Sequence, residues 1–303
     1  MRSFFRTWWL RLHSWLALSV GLLLVLIGIS GSLLMLKSPL LQWEIGQQAL
    51  IAAPRQQPYA DAEQWKLSAQ QHYPQLKQIM GVAPPGSGFI PATNAMVFGK
   101  LQQRAGMGIA FIDPYDAQPR GFVVFDDLWF SHIVNLHRLL LLPAKWGGPL
   151  VALSGVVLLL SLISGLVLWW PKIRALKSSL ILQRRSRGTL WWRQLHNISA
   201  IYLFFPLLLV TLTGIALAQP PWFAFIANPR AVKPLLSTLH SELLLGTAGK
   251  VLVFSSGLAL PVLYCSGVMM WWRKRRARRL ITRAKPSYLV MENTHESTDK
   301  TMS

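Results

Sequence analysis

Four stretches of the chain run for 21 to 24 residues without a single charged side chain: 15–36, 147–170, 198–218 and 251–272. A helix needs about 20 apolar residues to cross the hydrocarbon core of a bilayer. Four transmembrane helices are therefore expected, and the fold class is a membrane protein, mainly α. Composition agrees: of 303 residues, 52% are hydrophobic and 14% charged, against about 25% charged in soluble domains. The one cysteine, Cys265, excludes an internal disulfide and any Cys-clustered zinc or iron–sulfur site.

The basic residues orient these segments. The chain has 31 Lys+Arg against 11 Asp+Glu, a net charge of +20. Arg2, Arg6 and Arg11 precede the first segment with no acid among them. Lys172, Arg174, Lys177, Arg184, Arg185, Arg187 and Arg193 follow the second, again with no acid, and a run from Arg273 to Lys285 follows the fourth. Residues 37–146 instead mix nine basic with seven acidic side chains. The positive-inside rule then puts both termini and the loop after the second segment in the cytoplasm. So distributed, the charge is a topology signal and a contact for anionic lipid; a nucleic-acid partner is not expected. The first apolar run is too long for a signal peptide and has no small-residue cleavage site directly after it, so it is read as retained.

The membrane part is internally duplicated. WWLRLH at 8–13 and WWRQLH at 191–196 are offset by 183 residues, and the same offset carries Ser30-Gly31 onto Thr213-Gly214. Leu136-His137 matches Leu239-His240, and Gly155, Gly165 and Trp169-Trp170 fall on Gly257, Gly267 and Trp271-Trp272 at an offset of 102. The expected architecture is a four-helix transmembrane bundle made of two parallel helix-pair repeats. The first copy carries about 80 residues more between its helices than the second, a small α/β insert on the outer face. Within it, the spacing of Ala62, Trp65, Leu67, Ala69 and Tyr73 predicts a helix over 61–73, stopped by Pro74. The run GIAFIDP, a polar turn YDAQPRG and FVVF predict a hairpin over 106–125. So small an insert is expected to lean on the helices or on a partner. The divisions are 1–36, the first transmembrane helix with a cytoplasmic N-terminus; 37–131, the periplasmic module; 132–172, the second helix; 173–193, a cytoplasmic loop; 194–285, the third and fourth helices; and 286–303, a disordered cytoplasmic tail.

Four of the seven histidines fall on the repeat: His13 with His196, and His137 with His240. A pseudo-twofold axis sets each pair at one depth, His13 and His196 at the inner face and His137 and His240 at the outer. Two such pairs suit two hemes with axial imidazoles, since a ligand on both faces of the iron favours electron transfer over O₂ binding. Ala17, Ser199, Ala200, Gly147, Gly148, Gly246 and Gly249 supply small neighbours for a porphyrin, and Arg11, Arg138 and Arg193 stand where propionates or lipid headgroups would meet them. His132 lies on a different face from His137, His72 is read as structural, and His295 lies in the tail. Trp222, Phe223 and Phe225 read first as an interfacial aromatic belt and second as a docking surface for a chelate.

The chain resembles the PepSY-associated transmembrane family. The matching stretches are LHSWLALSVGLLLVLIGISGSLL, LHRLLLL with LISGLVLWWPK, WWRQLHNISA, and LHSELLLGTAGKVL with CSGVMMWWRKR. FIDPYDAQPRG resembles the hairpin of a PepSY module, which makes the insert PepSY-like. Within the family the chain is similar to siderophore-interacting ferric reductases of the bacterial inner membrane. That resemblance implies two heme b groups with His13, His196, His137 and His240 as axial iron ligands, passing electrons outward to a ferric siderophore or other ferric chelate in the periplasm. One departure is Pro143, in the segment LLLLPAKWGG, where the second copy reads LLLGTAGK. The electron donor is a quinol or a separate cytoplasmic reductase, since no Gly-rich phosphate loop following a strand is encoded. Two further classes remain: a non-enzymatic regulator of a periplasmic peptidase, which gives no reason for the matched histidines, and a transport component, for which Pro206 and Pro261 could break helices but no charged residue lies near them.

Overall fold

The computed structural model describes residues 2–171, 176–183 and 185–284. Lys172, Arg174, Arg184, Lys285, His295 and the expected tail 286–303 lie outside the described residues. In chain order the elements are α1 (Arg2–Leu34), α2 (Lys37–Ile45), α3 (Gln47–Leu50), α4 (Ala62–His72), β1 (Leu76–Ala83), β2 (Ala95–Leu101), β3 (Met107–Ile112), β4 (Pro119–Val124), α5 (Trp129–Leu139), α6 (Ala144–Trp169), α7 (Leu176–Ser179), α8 (Gly188–Tyr202), α9 (Phe204–Ala218), α10 (Pro229–Glu242) and α11 (Gly246–Ala284). The chain divides into two units, one of Met1–Gly28 with Ala152–Ser303 and one of Ile29–Val151. The boundaries fall inside α1 and α6.

The 29–151 unit holds the α/β insert. Its four strands form one antiparallel sheet in the order β1-β2-β3-β4. Alternate side chains go to opposite faces, and both faces are covered. Ala95, Val97, Ala110 and Ile112 meet Trp65 and Ala69 of α4. Met96, Ile109 and Phe111 meet Leu41 of α2, Leu50 of α3 and Phe130 of α5. Asp61 caps α4 through a reciprocal capping box with Gln64, and Tyr73 ends it, as the Pro74 signal predicts. The expected hairpin is β3–β4. The elements β1, β2, α2 and α3 are additions to the expected ones. The two filled clusters show that the insert builds more core than its size suggested, and it draws Phe130 and Val134 of α5 into that core.

An ion network closes the β3–β4 turn. Asp113, 1% exposed at its side chain, accepts from Arg55 Nη2 at 3.2 Å and from Arg120 Nε at 3.1 Å. Its other oxygen accepts the Tyr115 backbone N–H at 3.0 Å. Arg55 also donates to Asp116 at 2.7 Å. A second device sets α5. The Glu44 carboxylate of α2 accepts the N–H groups of Trp129 and Phe130, which otherwise would be orphans at a helix start, and its charge suits the positive helix end.

In the other unit α8 packs along α11, and α9 along α10 and α11. Glycine allows close approach: a Cβ at Gly28 would lie 2.7 Å from the Gly257 carbonyl oxygen. Several buried serines and threonines of these helices return their hydroxyls to their own helix. Ser256 bonds the Leu252 carbonyl and Thr211 the Leu207 carbonyl, the usual resolution for a polar group among apolar helices. The third apolar segment is not one straight helix: α8 and α9 meet at Leu203 with a bend of 64°. Pro206 explains the site of the break, because its ring clashes with the carbonyl four residues back and it offers no N–H to that group; that residue is Tyr202, the last of α8. Pro149 and Pro261 sit within continuous α6 and α11.

Three helical stretches are long and apolar enough to cross a membrane, Phe4–Leu34, Ala144–Trp169 and Gly246–Ile281, and the bent pair of α8 and α9 makes a fourth if it is counted as one span. Large apolar side chains such as Leu22, Leu153, Val167 and Leu258 are exposed along them, as expected of lipid-facing positions. The protein is a mostly helical, multi-pass membrane protein carrying a small antiparallel sheet.

Removing Asp113 should cost the insert about 3 kcal/mol, the low end for breaking a buried ion network, since Arg55 and Arg120 are themselves partly exposed; denaturant unfolding of D113A against the parent checks this. The Arg55 hydrogen bond holds the Asp116 carboxyl below its usual range, and Arg104 does the same for Asp127. Depressed carboxylates stabilise above the unfolded value, about pH 4, and that contribution is lost as pH falls through the folded one. An acid titration of the thermal midpoint should therefore fall below about pH 4, and less steeply in D116N.

Candidate functional site

Each of the four repeat-matched histidines rests on a glycine of another helix. A Cβ at Gly165 would lie 3.3 Å from His13 Cε1, at Gly267 3.8 Å from His196 Cε1, at Gly214 3.1 Å from His240 Cε1 and at Gly31 2.7 Å from His137 Cε1. In each case the residue before the glycine carries a hydroxyl: Ser164, Ser266, Thr213 and Ser30. At Gly31 a larger side chain would force the imidazole aside, while at Gly165 and Gly214 it would press on it and at Gly267 it would only touch it.

The hydroxyls settle which ring nitrogen carries the proton. Ser266 Oγ donates to its own helix at the Val262 carbonyl, 2.6 Å away, and lies 2.9 Å from His196 Nδ1. A hydroxyl has one hydrogen; with that hydrogen committed, Ser266 accepts from the ring. The Leu263 carbonyl, 3.0 Å from the same nitrogen, accepts only. His196 therefore carries its proton on Nδ1. The same logic holds for His240: Thr213 Oγ1 donates to the Leu209 carbonyl at 2.7 Å, and Nδ1 reaches Thr213 at 3.1 Å and the Val210 carbonyl at 3.0 Å. His13 Nδ1 likewise bonds a hydroxyl, Ser164 Oγ at 3.0 Å, which also lies 3.1 Å from the Ser161 carbonyl. With the proton on Nδ1, Nε2 presents a lone pair, the arrangement in which an outer hydrogen bond orients a metal-ligating imidazole and raises its basicity.

His13 and His196 come together. Their ring centres are 6.2 Å apart and their planes 88° apart. Metal–imidazole bonds run about 2.0–2.1 Å, so two imidazoles bound on opposite sides of one ion have centres about 6 Å apart. The separation of the two rings matches that spacing. Among the described residues no group of three or more His, Cys, Asp or Glu is gathered as a metal cage. A two-histidine site suits a metal whose remaining donors come with it, as in a porphyrin.

His137 and His240 lie in different units, and each has its own setting. Both sit near the end of a short helix, α5 or α10, that precedes a span, and not on the span itself. Each short helix ends in two leucines with left-handed backbone, Leu140 and Leu141 at φ 53° and 59°, and Leu243 and Leu244 at 53° and 60°. Left-handed backbone costs a non-glycine residue roughly 1–2 kcal/mol, so the turn is strained at corresponding positions of the two stretches. Gly147 and Gly249 belong to this turn: a Cβ would meet the Leu139 carbonyl oxygen at 2.3 Å and that of Glu242 at 1.6 Å. Close backbone approach at the turn accounts for these two glycines, expected as small neighbours of a porphyrin.

The remaining candidates are placed as follows. His72 Nδ1 bonds the Ser68 carbonyl at 2.9 Å and His132 Nδ1 the Leu128 carbonyl at 2.9 Å, both within their own helices. Arg11, Arg138 and Arg193 are exposed. Trp222 and Phe225 are exposed around a short 3-10 turn at Pro220–Phe223. Sequence reasoning missed the serine and threonine partners, although each stands beside a glycine already matched by the repeat.

Gly31→Ala should force His137 aside and lower stability by about 1–3 kcal/mol. Gly267→Ala, with ordinary contact distance to His196, should stay within about 1 kcal/mol of the parent. Thermal unfolding of the two variants in detergent compares them.

A family model described as the PepSY-associated TM region matches residues 10–234 and 229–274. Comparison with curated proteins gives no match. The two matched stretches contain all four histidines and their hydroxyl–glycine seats, and on that basis the chain belongs to the PepSY-associated TM region family.

Proposed function

We propose that this protein is a transmembrane di-heme oxidoreductase that reduces ferric chelates, including siderophore iron, on the outer side of a bacterial inner membrane. The observation that carries this reading is the His13–His196 pair, with ring centres 6.2 Å apart and both Nδ1 atoms bonded away from the metal-binding edge. Heme b, which His13 and His196 would hold, would supply a reversible one-electron couple there. The chain's own residues do the rest. Ser266 and the Leu263 carbonyl fix the tautomer of His196, Ser164 and Ser266 aim the rings, Gly165 and Gly267 let the rings lie close to the helices, and apolar α1, α8 and α11 exclude water. The second heme is assigned to His137 and His240 by the sequence offsets and by the matching hydroxyl–glycine seats at Ser30-Gly31 and Thr213-Gly214.

The finer architecture belongs to the same reading: a four-span bundle of two parallel helix-pair copies, a PepSY-like periplasmic insert, and both termini in the cytoplasm. The basic flanks of the spans support the orientation. A quinol or a cytoplasmic reductase would be the donor. The bend at Leu203 is the observation that favours a transport role, since broken spans mark transporter sites; chelate uptake into proteoliposomes without reductant would favour that role over reduction.

Detergent-purified protein should show the reduced-minus-oxidised spectrum of low-spin b heme, with two hemes per chain by pyridine hemochrome. His13→Ala and His196→Ala should each remove the same heme. Retention of both hemes in these variants, or a colourless protein from heme-replete cells, would overturn the assignment. Ser266→Ala should keep the heme and raise its midpoint potential, because a ring with fewer hydrogen bonds at Nδ1 donates less electron density to ferric iron; a redox titration reads the shift.

A further inference from the structure

Among the described residues of the unit that contains His13, three buried polar atoms have no hydrogen-bond partner: the Trp9 indole Nε1, the Ser161 hydroxyl and the Trp169 indole Nε1. All three lie on the two helices that meet at His13. Trp9 is four residues before His13 on α1, Trp169 is four after Gly165 on α6, and Ser161 is three before Ser164. Side chains three and four apart share a helix face, so the unpartnered atoms flank the contact between His13 and Ser164. Buried donors without partners are rare in native proteins, and each one calls for an explanation. Two of them, the Trp9 and Trp169 indoles, each stand about one turn from the His13–Gly165 contact, and two unpaired donors there point to a group that the protein receives.

The chemistry of that group follows from the donors. An indole N–H donates and never accepts, so its partner is an acceptor oxygen. Trp9 lies about one helical turn, 5.4 Å, from His13, toward an end of α1 that carries Arg6 and Arg11 and no acid; that field favours an anionic acceptor. The sequence offset places Trp271 opposite Trp169, and it behaves differently. Trp271 is 40% exposed, with the Arg275 guanidinium 5.1 Å from its ring centre. Interfacial position alone therefore does not leave an indole buried and unpaired in this protein.

We propose that Trp9 and Trp169 form a carboxylate-binding pair that receives the propionate groups of a porphyrin held by His13 and His196. This rests on the heme reading above. The pair positions the macrocycle about the axis joining the two imidazoles, a rotation that the histidines by themselves leave free.

The test uses the purified full chain with its heme, in the parent and in Trp9→Phe and Trp169→Phe. Two quantities are read: the rate of heme loss to excess apomyoglobin, and the propionate bending bands in the resonance Raman spectrum. The expected result is an unchanged low-spin bis-histidine spectrum, shifted propionate bands, and one phase of heme loss about tenfold faster, the size of one lost charge-assisted hydrogen bond. Unchanged bands with an unchanged loss rate would overturn the pair. So would loss of the low-spin spectrum itself, which would make the indoles packing partners of His13. A parent protein without heme would instead sink the heme reading, and the carboxylate pair with it.

Discussion

The arrangement depends on an imidazole lying on a glycine with a hydroxyl beside it. The contact combines two demands that rarely meet in an apolar interior. The ring needs a polar partner for its N–H, and it needs a surface flat enough to approach. Serine or threonine followed by glycine supplies both from a single helix turn, and the hydroxyl costs the helix little because it bonds back to its own carbonyls. The seat recurs for His13, His196 and His240, each with Nδ1 against the hydroxyl, and Gly31 presses on His137 in the same way.

From this contact the rest of the helical part becomes intelligible. Helices that must present a histidine to a neighbour at fixed depth cannot slide or rotate freely. Small residues at Gly21, Gly28 and Gly155 draw the backbones and neighbouring side chains into register. The two short helices bearing His137 and His240 reach their places through strained leucine pairs, where a glycine would have served the backbone at lower cost. Strain at matched positions is the kind that persists only where the surrounding fold holds it.

The sequence made the apolar spans and their order legible, because apolar length is a strong signal. The helix capped by Asp61 and the β3–β4 hairpin were equally readable. Strands β1 and β2 were not. Bulges at Leu76/Gln78 and Ile79/Gly81 spoil the alternation of β1, and β2 buries both faces, so Ala95, Met96 and Val97 show no polar interval. The break at Leu203 was half legible: Pro206 marked a place where a helix could fail, but neither the failure nor its angle follows from composition. The nearness of His13 and His196 was expected from the repeat. The roles of Ser164 and Ser266 were hidden, because serine in a membrane helix more often serves packing alone.

The Glu44 clamp has a mechanical side. Its carboxylate joins α2 to the first two N–H groups of α5, and His137 lies eight residues further along that same helix. Helices are stiff over two turns, and α2 is anchored in the insert through the fully buried Leu41. The insert and the helix that bears His137 are thus pinned together at Glu44, so that neither can be displaced without straining that carboxylate's bonds.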